Sequence, residues 1–199
     1  MERKTIKTAL VSVYNKDGLD EILQLLNAQN VKFLSTGGTR KYIESKGFQC
    51  MAVEDVTTYP SILGGRVKTL HPKVFGGILA RRNNEDDLQE MKQYEISGID
   101  LVIVDLYPFE DTVESTTNHD EIIEKIDIGG ISLIRAAAKN YNDVVIVPSK
   151  KQYSTLLEIL KSDGASTTLA QRHQFATEAF KTSCAYDKAI SEWMNTENK

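Results

Sequence analysis

Apolar and polar positions along the chain fall into two alternating patterns. Residues 8–13 (TALVSV), 31–35 (VKFLS), 48–53 (FQCMAV), 99–104 (IDLVIV) and 143–147 (DVVIV) are short apolar runs rich in β-branched side chains. Nearly continuous apolar runs of that length predict strands of a parallel sheet covered on both faces. Between them the spacing becomes helical. Leu19, Ile22, Leu23 and Leu26 make one apolar stripe, and further helices are expected at 40–46, 74–81, 85–94, 121–126 and 131–141. Beyond Ser149 the helical pattern dominates. Tyr153, Leu156, Leu157 and Leu160 form a stripe that Gly164 ends, and a long helix is expected over 167–193.

Strands alternating with helices imply an α/β fold with an open, mostly parallel sheet and helices on both faces. Residues 1–148 are read as that core, and 149–199 as a C-terminal helical extension packed on it. Residues 57–72 break the pattern. Pro60, Gly64, Gly65 and Pro72 punctuate them, so they are read as an ordered loop with a short helix, where function is best sought.

Composition narrows the partners. The net charge of -4 argues against a general nucleic-acid surface, which needs a dense basic face. An anion must instead be held by local cations and backbone donors. The two cysteines, Cys50 and Cys184, are far apart, which fits a reducing compartment and no thiolate metal site. No apolar run is long enough to span a bilayer. A cytoplasmic protein with no membrane partner is the expectation.

Four places carry candidate chemistry. Thr36-Gly37-Gly38-Thr39 lies between a strand and a helix. Its glycines let backbone N–H groups approach an oxyanion, and the helix terminus adds a positive dipole. The plainer reading is a turn in which Thr39 caps the helix. In Gly64-Gly65-Arg66-Val67-Lys68-Thr69, Val67 stands where a P-loop requires glycine, which excludes ATP on that motif. Arg66, Lys68 and His71 still offer local positive charge. Asp105 and Tyr107 follow the most apolar strand, at the sheet edge where α/β ligands bind. Asp127 precedes Gly129-Gly130, a capping position. Lys139 follows Arg135-Ala136-Ala137-Ala138, where spacing alone suggests a surface lysine at a helix C-terminus. The three histidines lack metal-ligand spacing and no GxSxG elbow is present, so no metal, no cofactor and no Ser-His-Asp hydrolase are expected.

Read in order, the segments SVYNKDGL, STGGT, LGGRVKTLHP, GGILAR, DLYPF, IDIGGISLIRAAAKN and AYDKAIS resemble the IMP cyclohydrolase domain of the bifunctional AICAR transformylase/IMP cyclohydrolase family. The resemblance covers essentially the whole chain and implies a methylglyoxal-synthase-like fold. The family's transformylase domain is absent from it. The reaction implied is closure of 5-formamidoimidazole-4-carboxamide ribotide (FAICAR) to IMP, with no cofactor and with a homodimer as the assembly. Thr36, Gly37, Gly38 and Thr39 would then hold the phosphate, with Tyr14, Asn15 and Lys16 nearby. Arg66, Val67, Lys68 and Thr69 would line the nucleotide, Lys68 stabilising developing charge. Val104, Asp105, Tyr107, Asp127 and Ile128 would border the base; at Asp105 the family often has Asn. Lys139 matches the family's proton donor and acceptor, a role that would require its burial beside Lys68 or Arg66. A regulatory module that senses nucleotides without chemistry is the competing reading. It needs the Thr36–Thr39 cradle but neither lysine.

Overall fold

The buried runs become one sheet because each is too apolar to leave a face to water. A computed structural model of the chain describes residues 3–197. The chain opens with β1 (Arg3–Thr5), then β2 (Thr8–Val13), α1 (Leu19–Ala28), β3 (Lys32–Ser35), α2 (Gly37–Ser45), β4 (Cys50–Ala52) and α3 (Val53–Thr57). A 3-10 turn (Leu63–Gly65), α4 (Pro72–Leu79), α5 (Glu85–Gln93), β5 (Leu101–Asp105), α6 (Phe109–Ser115), α7 (His119–Glu124) and α8 (Gly129–Lys139) follow. The chain then runs through β6 (Val145–Val147), a second 3-10 turn (Lys150–Gln152), α9 (Tyr153–Asp163), β7 (Ser166–Thr168) and α10 (Leu169–Glu197).

Five strands form a parallel sheet in the order β4-β3-β2-β5-β6. Leu10, Leu101 and Ile103 are fully buried at its centre. Helix α1 packs with α9, while α8 packs with α4 and α10, so the sheet is covered on both sides as the apolar runs require. The chain leaves β2 toward β3 on one side and returns as β5 on the other. That reversal opens a crevice between the loops after β2 and β5, the usual ligand position in open α/β sheets.

Several boundaries differ from the sequence reading. Gly129 and Gly130, which lie outside the helix expected at 131–141, form the first turn of α8. Helix α2 starts at Gly37 rather than near residue 40. Val53, expected in a strand, already belongs to α3. Strands β1 and β7 add a second, two-stranded sheet that the apolar pattern does not mark. They pair antiparallel, Arg3 opposite Thr168, and both are polar and three residues long, too short to show a period. One core cluster holds β-sheet residues together with Tyr153, Leu156, Phe175, Ala176 and Ala179.

Candidate active site at the carboxyl edge of the sheet

Three connections meet at the crevice. The first is the turn after β2. Tyr14 N–H donates to the Asp105 carbonyl at 3.2 Å, and Asn15 N–H donates to the Asp105 carboxylate at 2.9 Å. Lys16 Nζ turns back onto the Tyr14 carbonyl at 2.7 Å. Asp105 is therefore the bracket that ties the β2 turn to the end of β5. Its task is to accept a hydrogen bond, which an amide oxygen performs equally well. Partial burial raises its pKa, against the opposing pull of the Asn15 N–H and the Lys150 and Lys16 charges. Val104, just before it, is buried in the sheet and contributes backbone and packing only.

The second connection is the start of α2. Gly37 has φ 47°, a left-handed conformation that strains any side-chain-bearing residue. Gly37 and Gly38 are exposed, and a Cβ on either would meet no protein atom within 4 Å. The first N–H groups of a helix have no intrahelical acceptor, so this end presents donors to open space. Thr39 departs from expectation. Its hydroxyl donates to the Val13 carbonyl at 2.9 Å and accepts from Val13 N–H at 3.3 Å. The side chain fastens α2 to β2 and does not cap the helix. Thr36 occupies the N-cap position without a side-chain capping bond.

The third connection joins the 66–71 loop to the start of α8. Lys68 is half-buried and Thr69 is buried. The Thr69 hydroxyl lies 3.1 Å from where a Cβ on Gly129 would sit. The Asp127 carboxylate accepts from Gly130 N–H at 2.6 Å and Ile131 N–H at 3.3 Å. Gly130 is required here, since a Cβ would stand 2.8 Å from the Asp127 carboxylate. Burial raises the Asp127 pKa; the N–H groups of Gly130, Ile131 and Tyr107 and the nearby Lys68 charge hold it back. Asp127 is thus both a helix cap and a partly desolvated carboxylate beside an ammonium, an arrangement typical of functional sites.

Aromatic and apolar groups frame the opening. The Tyr14 and Tyr107 rings meet edge to face, centroids 5.5 Å apart. Lys125 Nζ stands 5.4 Å from the Tyr107 centroid. Ile128 is exposed, an apolar group beside Asp127 in sequence. Val67 is half-buried and makes an isolated bridge with Ile62 that closes the 3-10 turn.

Three expected positively charged groups do not converge here. Arg66 is exposed and pairs with Glu124 at 3.1 Å. His71 caps α4, its Nδ1 accepting from Lys73 N–H at 3.1 Å. Lys139 is exposed at the far end of the 11-residue α8, about 15 Å along the axis from Gly129. Asn140 beside it bonds the Ile78 and Ala80 carbonyls, and β6 enters next to the start of β5. Lys139 therefore sits at the opposite edge of the sheet, and the burial beside Lys68 or Arg66 that its role called for does not occur within one chain.

One contributor had no role in the sequence reading. Tyr186 of α10 accepts from Asp127 N–H at 2.8 Å and donates to the Lys125 carbonyl at 3.0 Å. Among the described residues no group of three or more His, Cys, Asp or Glu is placed to hold a metal ion. No described helix is long and apolar enough to cross a membrane.

The MGS-like domain model matches residues 18–132, the span that carries the second and third of these connections and Asp105. The chain belongs to the MGS-like domain family. Within that family its likeness is specific. The AICARFT/IMPCHase bienzyme model matches residues 137–199. The bifunctional purine biosynthesis protein PurH of Bacteroides thetaiotaomicron is 64% identical over 98% of this chain, and PurH of Corynebacterium glutamicum (strain R) is 45% identical over 98%. This MGS-like chain spans 38% and 37% of those two relatives. The solved structure of ForH superposes with a TM-score of 0.77 at 32% identity, covering 94% of this chain and 97% of that one.

Proposed function

We propose that this domain is an IMP cyclohydrolase that closes FAICAR to IMP in the cytoplasm. The observation that carries the proposal is the meeting of Lys68, Thr69 and Asp127 at the sheet edge that also bears the open α2 terminus. One end of that crevice suits a phosphate and the other offers a charged donor beside a desolvated carboxylate. The family matches and the PurH relatives supply the nucleotide to which these groups correspond.

In the proposed reaction the carboxamide nitrogen bonds to the formyl carbon. That nitrogen loses a proton as the formyl oxygen gains one. The resulting hydroxyl then departs as water with the proton of the former formamide nitrogen, leaving the C=N bond of the new ring. Both reactants belong to one molecule, so holding them in contact lowers the barrier substantially. The α2 N–H groups and the Tyr14–Lys16 turn anchor the phosphate. Val67 and Thr69 line the nucleotide, and Asp105, Ile128, the Val104 backbone and the Tyr107 ring border the base, while Arg66 stays paired with Glu124. The Lys68 ammonium stabilises charge developing on the formyl oxygen. Asp127, with its raised pKa, relays a proton near neutral pH more readily than a free carboxylate. Lys139 joins this set only from a second copy of the chain, which a homodimer would supply.

The test is to incubate the purified chain with FAICAR under single-turnover conditions and follow IMP. Ring closure that Lys68→Met slows by about a hundredfold or more supports the proposal. A folded chain that binds IMP and produces none is a nucleotide-sensing module instead.

A further inference from the structure

Tyr186 lies in a small apolar cluster apart from the main core. Its ring packs edge to face against Phe109, centroids 6.2 Å apart, and shares the cluster with Ile122 and Trp193. Packing explains the ring but not the hydroxyl. That oxygen emerges from the cluster at the loop between α7 and α8 and makes two bonds, accepting from Asp127 N–H at 2.8 Å and donating to the Lys125 carbonyl at 3.0 Å. Residues 125 and 127 are thereby pinned to one atom of α10. Among the described residues no other side chain bonds the Asp127 backbone, while its own carboxylate accepts from Gly130 and Ile131 N–H. Lys125, the other end of the clasp, lies over the Tyr107 ring.

We infer that Tyr186 is a positioning residue for the ring-closing reaction. Its hydroxyl clasps the loop at residues 125–127 and fixes the Asp127 carboxylate and the Tyr107 ring relative to Lys68. The inference rests on the proposed function and assigns α10 a share in the site. The site then depends on a side chain that follows Asp127 by 59 residues. Burial pushes the Tyr186 pKa up to about 12, so the hydroxyl remains a donor at every working pH.

Tyr186→Phe keeps the ring and removes only the clasp. The Asp127 amide should then exchange with solvent about tenfold faster or more. The kcat for ring closure should fall about tenfold or more, with KM within about twofold, because Asp127 drifts while the phosphate anchor is untouched. The acid limb of the kcat profile should move, since a displaced carboxylate changes both the burial that raises its pKa and the N–H donors that lower it. Phe109→Leu is the control for packing. It should lower the Tm by loosening the same cluster and leave kcat as it was. An unchanged kcat and acid limb in Tyr186→Phe overturn the inference, as does an equal loss of kcat in Phe109→Leu. An unsubstituted protein without ring-closing activity sinks the proposed function instead. The clasp is then judged by Asp127 amide exchange alone, and unchanged exchange in Tyr186→Phe overturns it.

Discussion

At the scale of single residues, side-chain roles separate into those that face the crevice and those that build it. Gly38 faces it. A Cβ there meets no protein atom, so Gly38→Val should fold normally while its branched side chain stands between the α2 donors and a phosphate. We expect IMP affinity to drop at least about tenfold with the Tm nearly unchanged; equal affinity by calorimetry would remove the phosphate from this position. Tyr153 is a builder that is not fully satisfied. Its hydroxyl is buried without a hydrogen-bond partner, and burial, then the Asp105 charge, raise its pKa. An unmade bond of that kind costs about 1–3 kcal/mol. Tyr153→Phe should therefore stabilise the fold by about 1 kcal/mol and raise the Tm by a few degrees. A fall in Tm would mean that the hydroxyl has an acceptor in solution.

Among the elements, α5 shows how a polar helix is held without a core. None of its residues is buried. Asn84 caps its first turn by accepting from Asp87 N–H, and Asp87 accepts two bonds from the Arg81 guanidinium and one from Arg81 N–H. Those bonds hold the Asp87 pKa at about 2. For a carboxylate with a lowered folded pKa, the stabilisation is complete above the ordinary carboxylate pKa and is lost as pH falls toward the folded value. Tm measured against pH should show a gap between the parent and Asp87→Asn at pH 6 that closes between about pH 4 and pH 2. A gap that persists at pH 2 would assign the effect to the cap rather than the ion pair. The glycine pairs teach a related lesson. Gly129-Gly130 reads as a breaker from propensity, yet Asp127 occupies the space a side chain would need and turns the pair into a helix start.

For the whole molecule, Lys139 poses the sharpest geometric question. Helix α8 carries Gly129 at one sheet edge and Lys139 at the other, so one chain cannot bring Lys139 to its own Asp127. If Lys139 moves protons in this reaction, it does so in a neighbouring copy. Lys68→Met and Lys139→Met chains, each inactive alone, should then recover about a quarter of parental activity when mixed, because half the dimers are mixed and each has one intact site. A mixture as inactive as its components would remove Lys139 from the proton transfer.

The sequence by itself determined the strands of the parallel sheet, the main helices and the three loops of the site. Buried runs such as LVIV at residues 101–104 tolerate few other environments, and Gly-Gly at 37–38 leaves the start of a helix bare of side chains. Tertiary structure decided what local pattern cannot encode. The pairing of β1 with β7 joins segments more than 160 residues apart through polar residues with no period. The reach of Tyr186 to Asp127 spans 59 residues. Arg66 turned to Glu124, His71 became a cap, and Lys139 went to the wrong edge for its own site. Each of these depends on which groups the fold brings within a few ångströms, and a side chain's identity sets what it can do without setting what it meets.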